Sequence, residues 1–147
     1  MPARTRTRTG LDARAATAPG WATVVARVSG GTFIAGAALN LTLTAVRPRL
    51  FGDLGPWMGG PAPLQELWAA TMGAHPRVWG VLIGGAYELA VGLLALSNDP
   101  RRRVAGLVGI AAFHVGLLIM GLWAWALPVL AVLVPTIIRI AEEGNKP

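Results

Sequence analysis

Three polar side chains stand inside otherwise apolar stretches of this 147-residue chain: Asn40, Glu88 and His114. Such groups are costly in hydrocarbon surroundings, so they usually face a partner or a functional site. A glutamate and a histidine at one place can relay a proton, or can bind a polar head group such as a quinone carbonyl. The same two residues can instead form a hydrogen bond that locks two helices together.

The stretches around these residues predict the class of protein. Hydrophobic residues make up 54% of the chain and charged residues 14%, against about 25% charge in soluble domains. Charges divide the chain into four apolar segments, at residues 24–46, 78–96, 104–123 and 126–140. A bilayer crossing needs ~20 apolar residues. The sequence therefore predicts an all-α membrane protein, a four-transmembrane-helix bundle that forms a single domain over residues 21–147.

The boundary between the last two segments needs its own argument, because residues 104–138 carry no formal charge. A single helix over this stretch would be ~50 Å long, too long for one crossing. We place the break between Gly121 and Pro128, where glycine loosens the helix and Pro128 suits the first turn of the next one. A re-entrant arrangement of these two segments is the alternative. Pro135 predicts a kink in the fourth helix.

The distribution of the 13 lysines and arginines predicts orientation, since cytoplasmic loops carry the excess of positive charge. With the N-terminus inside, the cytoplasmic side receives ten of them: Arg4, Arg6, Arg8, Arg14, Arg27, Arg101, Arg102, Arg103, Arg139 and Lys146. We therefore expect both termini in the cytoplasm and residues 1–20 to be a disordered basic tail. The alanine-, glycine- and arginine-rich composition favours a bacterial cytoplasmic membrane.

Depth along the segments brings two of the polar residues together. Glu88 lies ~16 Å from the outer end of the second segment, and His114 lies ~15 Å from the inner end of the third. Sequential helices run antiparallel, so both side chains fall near the midplane and form a candidate ligand or proton-relay pair. Asn40 is a third candidate, nearer the outer surface, and is expected to bond a neighbouring helix more readily than a substrate.

Residues 47–76 form the only sizeable external loop. Within it, Leu64, Leu67, Trp68 and Met72 recur at helical spacing, which predicts a short amphipathic helix on the outer interface. An outer aromatic belt at the membrane interface is expected to contain Trp57, Trp68, Trp79, Trp123 and Trp125.

Basic and small residues are assigned to lipid and to packing. The expected contacts with lipid head groups are Arg27, Arg101, Arg102, Arg103 and Arg139. Gly80 and Gly84 form a GxxxG pattern that favours close helix packing, within the chain or against a partner. Glycines at positions 30, 31, 36, 106, 109 and 116 suggest the same for the first and third segments.

Several classes of chemistry are excluded or unsupported. The chain has no cysteine, which removes disulfides, thiolate catalysis and cysteine-ligated metals. His75 and His114 differ by ~15 Å in depth, so one chain cannot ligate haem with both. No metal motif or phosphate-binding loop is present. We predict no metal and no intrinsic cofactor, a bound quinone or lipid being possible, and no binding of nucleic acid.

One stretch carries a family resemblance. Residues 84–96 read GGAYELAVGLLAL, and with the Gly/Pro-rich external loop, the short basic loop and the closing helical hairpin they resemble DoxX-like small four-helix membrane proteins. The resemblance implies a membrane subunit associated with redox or quinone-linked systems. Of the candidate site residues it transfers only Glu88.

The leading functional expectation is an accessory or structural subunit of a larger, redox-linked membrane complex, which is not an enzyme on its own. Its partners would be the lipid bilayer and other membrane subunits or further copies of itself. A quinone- or lipid-binding subunit of a membrane oxidoreductase using Glu88 and His114 is the first alternative. A small proton-coupled transporter is the second, and the absence of an internal repeat weakens it.

Overall fold

A computed structural model of the chain describes residues 20–55 and 59–144, and within these residues the chain is helical and contains no strand. The helices are α1 (Trp21–Val46), α2 (Arg49–Asp53), α3 (Ala62–Trp68), α4 (Pro76–Ala95), α5 (Pro100–Ile119) and α6 (Trp123–Gly144). Four of them, α1, α4, α5 and α6, are long and apolar enough to cross a membrane. The predicted all-α architecture with four helices of spanning length is thereby confirmed. Nearly all of the predicted basic tail, together with Trp57 and Lys146, lies outside the described residues.

The tight connection between α4 and α5 follows from its residues. Asp99 caps α5, its side chain accepting hydrogen bonds from the backbone N–H groups of Arg101 at 2.8 Å and Arg102 at 3.4 Å. Pro100 occupies the first helical position, where a missing N–H costs nothing. The two helices therefore reverse direction over four residues, which sets them side by side and antiparallel.

The break between α5 and α6 falls earlier than predicted. Helix α5 ends at Ile119, and Gly121 takes the left-handed conformation, with φ at 88°. The backbone N–H of Gly121 donates to the carbonyl of Leu118 at 3.1 Å, and that of Leu122 donates to the carbonyl of Leu117 at 2.9 Å. These two bonds form a Schellman cap, which ends a helix and turns the chain within two residues. The third segment therefore does not extend to residue 123.

The position predicted for Pro128 was wrong for the same reason. Because the Schellman cap ends α5 at Ile119, α6 already begins at Trp123. Both Pro128 and Pro135 therefore lie in the interior of α6. A proline inside a helix donates no hydrogen bond to the carbonyl four residues earlier. Helix α6 consequently runs over 22 residues, longer than the predicted 15-residue segment at both of its ends. It is a continuous helix of spanning length.

The loop before α4 is partly helical. Helix α3 continues into a wider π-helical turn over Ala69–Gly73. The indole of Trp68 donates to the backbone carbonyl of Phe51 in α2 at 2.8 Å, and Met72 and Phe51 are buried. Leu67, by contrast, is exposed. The short helices α2 and α3 are thus tied to each other at the end of the bundle where α1 ends and α4 begins.

The four long helices pack in chain order. Helix α1 packs mainly against α4, α4 against α5, and α5 against α6, whereas α6 meets α1 less closely. The core between them is made of small and branched side chains: Ala22, Ala26, Phe33, Val91, Ala95, Leu107, Ile110, Leu133 and Ile140. This unequal packing leaves the α1–α6 side of the bundle as the one with room between the helices.

Glycines set the close contacts of α4 with both neighbours. An added Cβ at Gly30 of α1 would lie 2.9 Å from the backbone oxygen of Gly92 in α4. On the other side, an added Cβ at Gly106 of α5 would lie 2.7 Å from the carbonyl oxygen of Val91. Gly31 and Gly116 have no neighbouring atom within 4 Å, so they take no part in packing inside the chain. Helix α4 is therefore held backbone to backbone between α1 and α5.

Candidate functional site

A cavity of about 280 Å³ lies among the four long helices. Its lining comes from every one of them: Val28, Ser29, Thr32, Phe33 and Gly36 of α1, Glu88 of α4, Ile110 and His114 of α5, and Trp125 and Val129 of α6. Two of the three sequence-predicted polar residues, Glu88 and His114, therefore face the same space. The third, Asn40, reaches it through Glu88.

Glu88 is held by α1. The Asn40 side-chain amide donates to both carboxylate oxygens of Glu88, with Nδ2 at 3.0 Å from Oε1 and at 3.0 Å from Oε2. Glu88 itself is only 6% exposed. The Asn40 amide therefore bridges both oxygens of Glu88, and both oxygens keep capacity to accept a further hydrogen bond. The glutamate is thereby fixed in position without being saturated.

Space for this pair is made by glycine. An added Cβ at Gly36 would lie 3.0 Å from Oε2 of Glu88, and one at Gly84 would lie 2.6 Å from Cβ of Asn40. Gly84 also belongs to a π-helical stretch of α4, Gly80–Tyr87, which ends immediately before Glu88. Such widened turns within α-helices occur frequently at functional sites. The local sequence of α4 thus combines small residues and an irregular turn beside its one acidic group.

His114 occupies the α5 side of the cavity and is 5% exposed. Its Nδ1 lies 2.8 Å from the carbonyl oxygen of Ile110, one turn earlier on the same helix. Because a carbonyl oxygen can only accept, Nδ1 carries the hydrogen. The ring also contacts Phe33 and Phe113, at centroid distances of 5.9 Å and 5.8 Å. These contacts fix the ring plane and leave Nε2 without a partner among the described residues.

Glu88 and His114 do not hydrogen-bond each other within the described part of the chain. The carboxylate is bonded to Asn40 and the imidazole to Ile110. The interpretation of the pair as a direct Glu–His lock between α4 and α5 is therefore wrong. That link is supplied instead by Tyr87, whose hydroxyl donates to the carbonyl of Gly109 at 2.8 Å.

Three further lining residues carry polar groups that have no protein partner among the described residues: the hydroxyls of Ser29 and Thr32 and the indole N–H of Trp125. Other hydroxyls in the long helices behave differently. Thr44 and Thr136 each donate to the carbonyl four residues earlier, at 2.6 Å and 2.7 Å. Ser29 and Thr32 are thus free to bond a molecule inside the cavity.

The cavity opens between α1 and α6. Val28 and Trp125, at its border, are 62% and 66% exposed, whereas Glu88 and His114 lie at its closed end. An apolar groove of about 380 Å³ adjoins it and shares Val28, Ser29 and Val129 with it. The groove is otherwise lined by Val24, Val25, Pro128, Val132 and Leu133. The cavity and the apolar groove therefore share part of their lining on the α1–α6 side.

Sequence reasoning missed two residues on the α1 side of this site, Ser29 and Thr32. Ser29, Thr32, Gly36 and Asn40 recur at intervals of three or four residues, which places them on one face of a helix. That polar and small face was visible in the sequence. Trp125 was predicted only as an interface residue, because nothing in the neighbouring sequence distinguishes it from Trp123.

The residues assigned to lipid show different surroundings. Arg27, Arg101 and Arg102 are exposed, and Arg139 forms an ion pair with Glu143 at 2.9 Å. The Arg103 guanidinium is turned inward: Nε donates to the carbonyl of Ser97 at 2.9 Å, and a terminal nitrogen lies 3.5 Å from the hydroxyl of Thr23. Arg103 thus ties α5 to α1 and to the loop after α4. Trp79 is half-buried near the start of α4.

The described residues thus define a helical protein with four helices of spanning length. The cavity among these helices has two buried polar side chains, Glu88 and His114, at its closed end. No family model matches the chain, and the searches of curated proteins and of solved structures found no match either. The resemblance to DoxX-like proteins rests on the residues quoted for it above.

Proposed function

We propose that this chain is a small integral membrane protein that binds a lipophilic molecule, of the quinone or lipid class, in the cavity between its helices. One observation carries the proposal. One cavity among the spanning-length helices is lined by Ser29, Thr32, His114 and Trp125, each of which has a polar atom without a protein partner among the described residues. Polar groups within membrane-spanning helices are costly unless they meet a partner. A ligand with a polar head would supply that partner.

This proposal reverses the order of the sequence-based expectations. An accessory subunit of a redox-linked complex needs a surface that contacts a partner subunit. The apolar exterior of the long helices does not indicate such a surface, because it suits contact with lipid equally well. The cavity, by contrast, is an inward feature that a purely structural subunit does not require. Gly31 and Gly116, which face open space, remain available for contact with another chain. The two roles are compatible, and the ligand site has the more specific support.

We also propose that both termini are cytoplasmic and that α2 and α3 lie on the outer side. The support is the distribution of basic residues, ten of the 13 falling on the N-terminal side of the membrane. The loop between α4 and α5, residues 96–99, would then face the cytoplasm together with Arg101–Arg103.

This orientation predicts a labelling pattern. The chain has no cysteine, so single cysteines can be introduced without a background. In intact cells, a membrane-impermeant maleimide is expected to label Ala74→Cys and to leave Asn98→Cys unlabelled until the cells are permeabilised. Both positions are exposed in the fold, so each reports sidedness and not burial. The opposite pattern would reverse the proposed topology, and labelling of both from outside would contradict it.

Tryptophan quenching tests the proposed ligand site. With the protein in phosphatidylcholine nanodiscs, a 4-alkylphenol carrying a ring bromine is expected to quench part of the fluorescence saturably. Bromine quenches at short range, so the saturable part should come from Trp125 at the cavity border. We expect Trp125→Phe to lose it.

Trp123→Phe provides the matched control. Trp123 is 63% exposed, close to the 66% of Trp125, and lies two residues away, but it does not line the cavity. The control should keep the saturable component and lose only the part of the linear component that Trp123 contributes through probe dissolved in the lipid. If quenching is linear in the wild type, or if both variants change it alike, the cavity does not bind the probe and the proposal fails.

A further inference from the structure

The arrangement of donors and acceptors in the cavity restricts the ligand further, and this argument rests on the proposed function. The closed end is formed by Glu88 and His114, the two least exposed polar groups of the lining. The border carries Trp125, whose indole can only donate. A ligand entering from the α1–α6 side meets the donor first and the two buried groups last.

Both groups at the closed end can accept a hydrogen bond. The Glu88 oxygens each retain a lone pair after bonding the Asn40 amide. The hydrogen on Nδ1 of His114 is used by the Ile110 carbonyl, so in the neutral ring Nε2 presents a lone pair. A ligand head group that can only accept hydrogen bonds could not donate to Glu88 or to Nε2 of His114. Its own lone pairs would face the lone pairs of these two groups. A polar group that is buried without a hydrogen-bond partner is destabilising, because it has lost its bonds to water and gained none in return.

Charge restricts the ligand in the same direction. The lining residues include one carboxylate and no lysine or arginine. A phosphate or carboxylate head would therefore be placed beside Glu88 with no cation to balance it, which is strongly unfavourable at low dielectric. The hydroxyls of Ser29 and Thr32 both donate and accept, so they suit a neutral polar head.

We infer that the cavity selects a neutral lipophile whose head carries a hydroxyl that donates to Glu88 or His114, with its apolar tail in the α1–α6 groove. Phenols and lipid alcohols belong to this class. The dihydroxy form of a quinone belongs to it as well, whereas the dicarbonyl form, which cannot donate, does not. The groove supplies only apolar side chains beyond Ser29: Val24, Val25, Val28, Pro128, Val129, Val132 and Leu133.

A pair of probes that differ by one donor tests this inference on the unaltered protein. The brominated 4-alkylphenol and its methyl ether share the ring, the bromine and the tail, but only the phenol can donate. In nanodiscs, at matched concentrations in the lipid, the ether is expected to need about tenfold more probe for half-saturation of Trp125 quenching, the effect of one hydrogen bond.

Variants locate the acceptor. His114→Phe keeps an aromatic ring against Phe33 and Phe113 while removing Nε2, and Glu88→Gln replaces one acceptor oxygen with a donor. At least one of them should bring the phenol-to-ether ratio close to one. Thr42→Val is the control, since Thr42 is exposed, bonds the carbonyl of Ala38 on its own helix, and does not line the cavity. It should leave the ratio unchanged.

The outcomes separate the inference from the proposed function. Saturable quenching by the phenol with weaker quenching by the ether supports both. Equal or tighter binding of the ether overturns the donor inference and leaves a lipophile site in place. Absence of saturable quenching by either probe overturns both. A donor preference that survives in both variants overturns the assignment to Glu88 and His114.

Discussion

Replacing Gly106 with alanine is expected to destabilise the protein by about 2–3 kcal/mol, the cost of overpacking a site that cannot relax. An added Cβ at this position would lie 2.7 Å from the carbonyl carbon of Leu94 and 2.7 Å from the carbonyl oxygen of Val91. These are backbone atoms of α4, so no side-chain rotation can make room. Helices α4 and α5 would have to move apart along their shared face.

Gly116→Ala on the same helix is the matched control. Gly116 has no atom within 4 Å of an added Cβ. Alanine is better than glycine in a helix interior by about 0.5–1 kcal/mol, so this variant should be as stable as the wild type or slightly more stable. Unfolding in mixed detergent micelles, followed by circular dichroism, measures both. Equal stabilities for the two variants would contradict the close contact between α4 and α5.

The second large effect concerns the Asn40–Glu88 pair. Asn40→Leu keeps a side chain of similar size against Gly84 but removes the only donors to the carboxylate among the described residues. A buried polar group left without its hydrogen bonds costs about 1–3 kcal/mol. We expect Asn40→Leu to lower the free energy of unfolding by about that amount.

A double-mutant cycle shows whether the loss belongs to the pair. In Asn40→Leu/Glu88→Leu neither polar group remains, so the double variant should be more stable than Asn40→Leu alone, with a coupling of about 1–3 kcal/mol. Thr44→Val, one turn further along α1, is the control. Its hydroxyl bonds its own helix, so its loss should cost less than about 1 kcal/mol. Additive effects in the cycle would show that Asn40 and Glu88 do not interact in the folded protein.

The spans could be predicted from the sequence because they depend on composition alone. Uncharged stretches of bilayer length must be helices, since only a helix satisfies its own backbone in hydrocarbon. Their ends were less certain, as the fourth helix shows. Hydrophobicity placed the start of that helix at residue 126, but the Schellman cap at Gly121 starts α6 at Trp123. Capping depends on local backbone geometry, which the spacing of charges does not report.

The candidate site was predicted in part. Distances along the chain placed Glu88 and His114 at similar depth, and both line the cavity. The partner of Glu88 could not be obtained in that way, because depth does not specify rotation about a helix axis. Asn40 lies 48 residues away in the sequence and was expected nearer the outer surface, yet its amide reaches the carboxylate. Gly36 and Gly84 permit this by leaving room between α1 and α4.

The sequence by itself determined the all-helical class, the four helices of spanning length and the three polar residues within them. These properties follow from the cost of placing charge in hydrocarbon and from helix length. Both can be evaluated from a short stretch of sequence without knowing how the helices pack. Only the tertiary structure decided which polar groups bond one another and which remain free. That choice depends on the rotation and separation of α1, α4, α5 and α6, fixed by close glycine contacts along α4 and by looser packing between α1 and α6. The cavity lies on that looser side.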